Sequence, residues 1–290
     1  MKVAVISDNH GNFPALKATI EHIDRWQPDL VVVNGDVVNR GPSSRACWDL
    51  VRRRRQTDGW RIVCGNHEEY VGSWLDEGAH GYGLCDAGRA HDVHSRRFEI
   101  NRSSYWTFRL LDGLMSEILG LPGQVDVEAP DGSVVRVTHG TMRGNRDGVY
   151  ALTPDEELLQ QIAPAPDVFC TAHTHRPLMR RLNGTLVVNS GSAGTTFDGD
   201  SRISYAQLVW RQGLWQAEIV RLPYDRLQAE RDFELSGYRQ GGGPLVDIFL
   251  QEWLLARPLI NRWAAQYEAA VLAGEITLEA SVDGFLQTEL

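Results

Sequence analysis

Apolar and polar positions fall into a rhythm that starts at once. Val3 to Ile6 is an unbroken apolar run, the pattern of a strand covered on both faces. Phe13 to Trp26 follows with Leu16, Ile20 and Ile23 at helical spacing. Asp29 to Asn34 reads as a second strand, Ser43 to Arg55 as a helix and Trp60 to Cys64 as a third strand. A β-α-β-α-β opening implies a parallel sheet, whose strand C-termini are the default place for a site.

The rhythm weakens between Glu68 and Ser133, a glycine-rich stretch with one helix expected near His91 to Leu111, and residues 68–133 read as a cap insertion. Strands resume at Val134 to Gly140 and Asp167 to Thr171, with a helix between them opened by Thr153-Pro154. Leu178 to Leu182, Leu186 to Asn189, Ile203 to Trp210 and Trp215 to Leu222 then follow with too little chain between most of them for crossover helices, which predicts antiparallel or mixed pairs. After a helix over Asp225 to Leu235, Gly237 to Pro244 ("GYRQGGGP") has linker composition. Leu245 to Leu272 reads as one or two amphipathic helices broken near Pro258, and the acidic end as weakly ordered. The expected organisation is a main domain over residues 1–236 and a linker with a helical extension over 237–290. That extension could pack on the main domain, arch over a site or join two copies.

Composition narrows the function classes. With 290 residues, 42% hydrophobic and 23% charged, the chain can bury a large core. A net charge of -9 argues against broad binding to nucleic acid or to an anionic membrane. The sequence contains no apolar run long enough for a membrane span and no leader pattern before Asp8, so the cytoplasm is the expected compartment. Cys47, Cys64, Cys85 and Cys170 are scattered and are expected as free thiols. The run Arg52 to Arg55 reads as a solvated helix end.

Polar residues gather where the apolar runs stop: Asp8 and His10, Asp36, Asn66 and His67, His139, then His173 and His175. One such residue is ordinarily a turn former or a hydrogen-bonded histidine. Eight at one edge of a sheet would be costly without a compensating positive charge, which a metal supplies. Oxygen and imidazole donors fit Mn, Fe, Zn or Ni better than Ca or a thiolate-bound zinc. Asp8, His10, Asp36, Asn66, His139, His173 and His175 are too many donors for one site with open positions. Two ions follow, and with them phosphoester hydrolysis.

The stretches "DNH" (Asp8 to His10), "GDVVNRG" (Gly35 to Gly41), "GNHE" (Gly65 to Glu68), "THG" (Thr138 to Gly140) and "HTH" (His173 to His175) resemble, in order and spacing, the calcineurin-like metallophosphoesterase superfamily. The resemblance covers about residues 1 to 220. "SDNHGN" and "NSGS" are similar to its bacterial phosphodiesterase-like branch, and Arg40 to its serine/threonine phosphatase branch. It implies an α/β fold, a four-layer α/β/β/α sandwich of mixed sheets with a dinuclear centre at the rim. By the same resemblance Asp8, His10, Asp36 and His175 would hold one divalent or trivalent ion. Asp36, Asn66, His139 and His173 would hold the second, with Asp36 as the bridge. A hydroxide shared by the ions would attack phosphorus in line, and His67, as an imidazolium, would assist the leaving oxygen. Arg40 and Asn66 are the expected substrate-binding residues.

Departures from the pattern matter as much. The acidic residue expected before Arg40 is Asn39, which weakens the case for an arginine clamp on phosphate; a surface turn before Pro42 is the alternative. Arg176 could reach substrate or lie on the surface. His91 and His94 could share a helix face, and Tyr70, Trp74, Tyr82, Tyr105 and Trp106 could stack a base or simply form the core of the cap. The expected partner is a small phosphomonoester or phosphodiester rather than a nucleic-acid polymer or a membrane. A serine/threonine protein phosphatase or dinucleoside polyphosphate hydrolase is the enzymatic alternative. A non-enzymatic scaffold is disfavoured because every expected ligand is present.

Overall fold

The computed structural model describes residues 1–75 and 93–289. Two five-stranded sheets face each other. The first, in the order β10-β9-β1-β2-β3, contains β1 (Lys2–Ile6), β2 (Leu30–Asn34), β3 (Arg61–Val63), β9 (Ile203–Arg211) and β10 (Leu214–Leu222). The second, in the order β4-β5-β6-β8-β7, contains β4 (Gln124–Glu128), β5 (Val134–Thr138), β6 (Val168–Thr171), β7 (Leu178–Leu182) and β8 (Thr185–Asn189). The expected parallel opening is observed in β1-β2 and β2-β3, and the expected antiparallel pairs in β7-β8 and β9-β10.

Alternation along each strand explains the layers. Val3 and Val5 point into the space between the sheets, where they meet Val32, Val63, Val135, Val137, Val168 and Val188. Ala4 and Ile6 point the other way, onto α1 (Phe13–Trp26) and α2 (Ser44–Asp58), whose Leu16, Ile20, Ile23, Trp48 and Val51 are buried. On the outer face of the second sheet, Phe169 and Val187 pack against Leu158 and Ile162 at α6 (Asp155–Gln161). The result is the expected four-layer α/β/β/α sandwich. The Asn12 side chain accepts the Ala15 N–H, and Pro14 fits the first turn of α1, where an N–H would be unpartnered.

Residues 68–133 depart from the expected insertion. They include α4 (Val93–Leu110), after α3 (Asn66–Gly72), but also α5 (Met115–Leu119) and strand β4. Leu111, Met115, Ile118 and Leu121 join the core beneath the first sheet. β4 pairs antiparallel with β5, Val125 opposite Val137, and alternates buried valines with outward Asp126 and Glu128. Much of this segment therefore belongs to the main domain. His80, Tyr82, Cys85 and His91 lie outside the described residues.

The expected linker is a packed joint. After α7 (Arg226–Leu235), α8 (Tyr238–Gly241) buries Tyr238 completely, its ring 4.7 Å from that of Trp106. Arg102 donates to the carbonyls of Gly241 and Gln240 at 3.0 and 3.1 Å. The extension continues as α9 (Leu245–Leu255), α10 (Ile260–Trp263), a π-helical turn (Ala264–Glu268), α11 (Ala269–Ala273) and α12 (Leu278–Glu289). Its own core of Leu245, Ile248, Trp263, Val271, Val282 and Phe285 closes against Ile100 of α4. The end expected to be weakly ordered is thus a helix with a buried face. Among the described residues no helix is long and apolar enough to cross a membrane.

Candidate metal centre

The polar groups follow the C-terminal ends of parallel strands: Asp8 and His10 after β1, Asp36 after β2, Asn66 and His67 after β3, His139 after β5, His173 and His175 after β6. Each strand must turn sharply there. Asp8, His10, Asp36, Asn39, Arg40, His173 and His175 all adopt left-handed backbone angles, φ between 52° and 70°. Such angles cost energy outside glycine and gather where function demands a fixed geometry. Backbone hydrogen bonds lock the first two loops together, from Asp8 N to Gly35 O (3.1 Å), His10 N to Asp36 O (2.9 Å) and Gly11 N to Val37 O (3.0 Å). Asn9, between the first two donors, points away and donates to the carbonyls of Asn12 and Ala193.

All seven ligand-type side chains meet in two groups. In the first, His175 Nε2 lies 3.1 Å from His10 Nε2 and 3.4 Å from Asp8 Oδ1. In the second, Asn66 Oδ1 lies 2.9 Å from His139 Nε2 and 2.8 Å from His173 Nδ1. Asp36 Oδ2 belongs to both, 3.6 Å from His10 Nε2 and 3.3 Å from His139 Nε2. Its other oxygen accepts the backbone N–H of His67 at 2.8 Å, which turns Oδ2 into the centre. Asp8 Oδ1, Asp8 Oδ2 and Asp36 Oδ2 are buried and make no hydrogen bond with protein groups. Three such carboxylate oxygens are unfavourable without a cation, and oxygen and imidazole donors at these separations fit one.

Second contacts aim the ring nitrogens. His139 Nδ1 bonds to Asn34 O at 2.8 Å and His175 Nδ1 to Thr195 O, so each presents Nε2 to the centre. Burial pushes the Asp8 carboxyl up to about 8, with the Asp36 charge adding to the shift and His139 opposing it. Against the effect of burial, His139 and His67 hold Asp36 well below the carboxylate range. Burial likewise opposes charge on His139, yet Asp36 raises it to about 10. Burial depresses His10 and His175 well below the usual imidazole value, and His173 to about 4.

Burial, opposed by Asp36 and reinforced by Arg40 and His139, lowers the His67 imidazole to about 3, which disfavours the expected imidazolium. Asn39 Nδ2 donates to His67 Nδ1 at 2.9 Å, which leaves the neutral ring's proton on Nε2. A carboxylate at position 39 could only accept and would select the other tautomer. Glu68 has a structural role that its place in the "GNHE" stretch does not announce. Its carboxylate accepts the N–H groups of Asp36, Val37, Val38 and Gly65 at 2.7 to 3.3 Å, joining the β2 and β3 loops. Its position at N3 of α3, where acidic residues reach back to a helix start, was the available signal.

The centre opens into a cavity of about 500 Å³. Arg40, His67, Tyr70 and Arg146 line one part, and Phe249, Ile260 and Trp263 of the extension another. Arg40 therefore faces the site and is no mere surface turn, whereas Arg176 reaches the rim with its Nε bonded to Phe197 O. Of the cap aromatics, Tyr70 alone reaches this cavity among the described residues. Trp74 and Tyr105 pack with Phe98, and Trp106 with Tyr238. Arg146 and the lining from the extension were not legible as site residues.

A two-sheet sandwich with flanking helices and a rim of carboxylate, amide and imidazole donors defines a metallophosphoesterase. Residues 1–212 match the calcineurin-like phosphoesterase superfamily domain, and the chain belongs to that family. An uncharacterized protein of Methanocaldococcus jannaschii is 24% identical over 90% of this chain and 98% of its own length. A metallophosphoesterase from Sphaerobacter thermophilus superposes with a TM-score of 0.65, at 22% identity over 88% of this chain and 99% of its own. A hypothetical protein from Pyrococcus horikoshii gives 0.68 at 17% identity, covering 84% of this chain and 97% of its own. These structures share the fold, over more of the chain than residues 1–212 make up.

Proposed function

We propose that the protein is a metal-dependent hydrolase of small phosphoesters working with two ions. The observation that carries this reading is the position of Asp36 Oδ2, buried, without a hydrogen bond and shared between the two donor groups. Asp8, His10, Asp36 and His175 would hold one ion and Asp36, Asn66, His139 and His173 the other. Mn, Fe, Zn and Ni all suit the donors. Bound cations supply Lewis-acid activation of water and of phosphoryl oxygens at neutral pH.

The protein's own groups supply orientation. Arg40 offers guanidinium donors from the cavity wall to the non-bridging oxygens of a phosphoryl group. His67, neutral and with its proton on Nε2, donates a hydrogen bond to the oxygen that leaves. The cavity is walled by the extension, which suits a small organic phosphoester better than the surface of a folded phosphoprotein. A net charge of -9 likewise disfavours a nucleic-acid polymer. A small-molecule role fits these features.

The test is turnover of p-nitrophenyl phosphate and its bis ester by protein reconstituted with each candidate ion. Asp36→Asn and His139→Ala are expected to retain the fold and to fall to about a thousandth of wild-type activity or below. Full activity in either would overturn the assignment. A panel of phosphopeptides and dinucleoside polyphosphates tests the two enzymatic alternatives.

A further inference from the structure

In the cavity outside the metal centre, an ion pair joins the loop after β2 to the C-terminal extension. Arg40 Nη1 lies 3.3 Å from Glu252 Oε2, a partner 212 positions away. The Glu252 side chain is 1% exposed and that of Arg40 18%. The other carboxylate oxygen, Oε1, accepts the N–H groups of Leu259 and Ile260 at 2.7 and 2.8 Å, so the carboxylate is pinned to the start of α10. One turn before Glu252 on α9, the Phe249 ring lies under the guanidinium, 5.4 Å from its central carbon to the ring centroid. Arg40 itself sits at φ 62°, in the strained loop that also carries Asp36 and Asn39.

We propose that Glu252 is a positioning residue for phosphate recognition: it fixes the Arg40 guanidinium so that the donors it does not engage face the metal centre. The inference rests on the hydrolase reading and deepens it. An arginine side chain has many rotamers, and an unsupported one at a cavity mouth would order only when substrate arrived. A guanidinium carries five N–H donors in a rigid fork. Glu252 engages one edge and the Phe249 ring covers a face, and Arg40 lines the cavity together with Asn66, His67 and His175. The binding cost is then met during folding rather than at each turnover. Ile260 and Trp263 line the apolar wall beside this clamp. Glu252 therefore also sets the distance between the phosphate-binding arginine and the surface against which the organic part of the substrate would lie.

The test uses the full chain reconstituted with metal, in the forms wild type, Arg40→Met, Glu252→Gln, the double variant of these two, Phe249→Leu, and Phe249→Leu in the Arg40→Met background. The readouts are kcat and KM for p-nitrophenyl phosphate, calorimetric binding of inorganic phosphate, metal content and Tm. Glu252→Gln keeps an oxygen for the Leu259 and Ile260 N–H groups while losing the charge. It is expected to lower kcat/KM and phosphate affinity by about 10-fold or more. Arg40→Met should lose at least as much, and the double variant no more than Arg40→Met alone, because both act through one guanidinium. Normal kcat/KM in Glu252→Gln, or losses that multiply in the double variant, would overturn the inference while leaving the hydrolase reading intact. No turnover by wild type with any ion would overturn that reading and the inference together. If Glu252→Gln does not fold, Phe249→Leu decides: a loss that disappears in the Arg40→Met background supports the clamp, and one that persists there refutes it.

Discussion

At the residue scale, the centre is poised between protons and cations. Asp8 is raised to about 8 by burial and the nearby Asp36, and His139 to about 10 by Asp36 against the effect of burial. Both groups therefore hold protons at neutral pH, and a cation must displace them. The sign follows: raising the pH removes the competitors, so apparent metal affinity increases with pH up to about 8, where Asp8 loses its proton, and less steeply from there to about 10, where His139 does. Titrating metal-stripped protein between about pH 6 and pH 8 should show roughly one decade of affinity per pH unit for each proton released. Calorimetry in buffers of different ionisation enthalpy counts those protons. A flat profile with no proton release would contradict the burial and crowding described for these side chains.

At the scale of elements, the loops after the strands are held by backbone approaches too close for a side chain. A Cβ on Gly41 would lie 2.0 Å from the carbonyl oxygen of His10, and one on Gly194 1.8 Å from that of Asn9. Neither oxygen can move without displacing the β1 loop and its two ligand-type residues. Gly41→Ala is accordingly expected to destabilise the protein by about 1–3 kcal/mol in urea unfolding and to weaken metal binding more than a substitution of equal cost elsewhere in the core. A variant with unchanged metal affinity would show that the loop tolerates the shift. These short-range constraints explain what could be read from sequence. A buried strand followed by Asp, Asn or His is a local pattern, and Asp8, Asp36, Asn66 and His139 each announced themselves that way. β4 did not, although "QVDVE" alternates as an exposed edge strand should, because six residues between Pro122-Gly123 and Pro130-Asp131 look like loop until β5 is there to pair with them.

At the scale of the molecule, the extension is part of the site's architecture. Glu252 was unreadable as a site residue because its partner Arg40 lies 212 positions away, and no local pattern encodes a contact of that range. The packed joint at Tyr238 was unreadable for the opposite reason: its glycines have linker composition, and only the buried ring shows otherwise. Removing residues 237–290 would expose Ile100, Trp106 and Phe233, which the extension covers. The truncated chain is expected to be poorly soluble or to unfold at lower temperature, and any soluble fraction to bind inorganic phosphate weakly, as Arg40→Met does. Thermal unfolding and calorimetry on that fraction check both. Sedimentation of the full chain at several concentrations tests the expectation of contact between copies.

The hydrogen bond from Ser192 Oγ to the carbonyl oxygen of Asp8 spans 184 positions, and β1 pairs on one side with β9, Val3 opposite Leu208. On the ribosome, the first strand must therefore wait until β9 has been made before its second edge is covered. Through that interval Val3 to Ile6 offers an unpaired apolar edge, and Asp8 and His10 have no Asp36-to-His175 framework complete enough to compete for a cation. Capture of a cation is then expected to follow synthesis of β9 rather than precede it. Nascent chains stalled before about residue 190 should bind no more metal than an unfolded peptide carrying the same histidines.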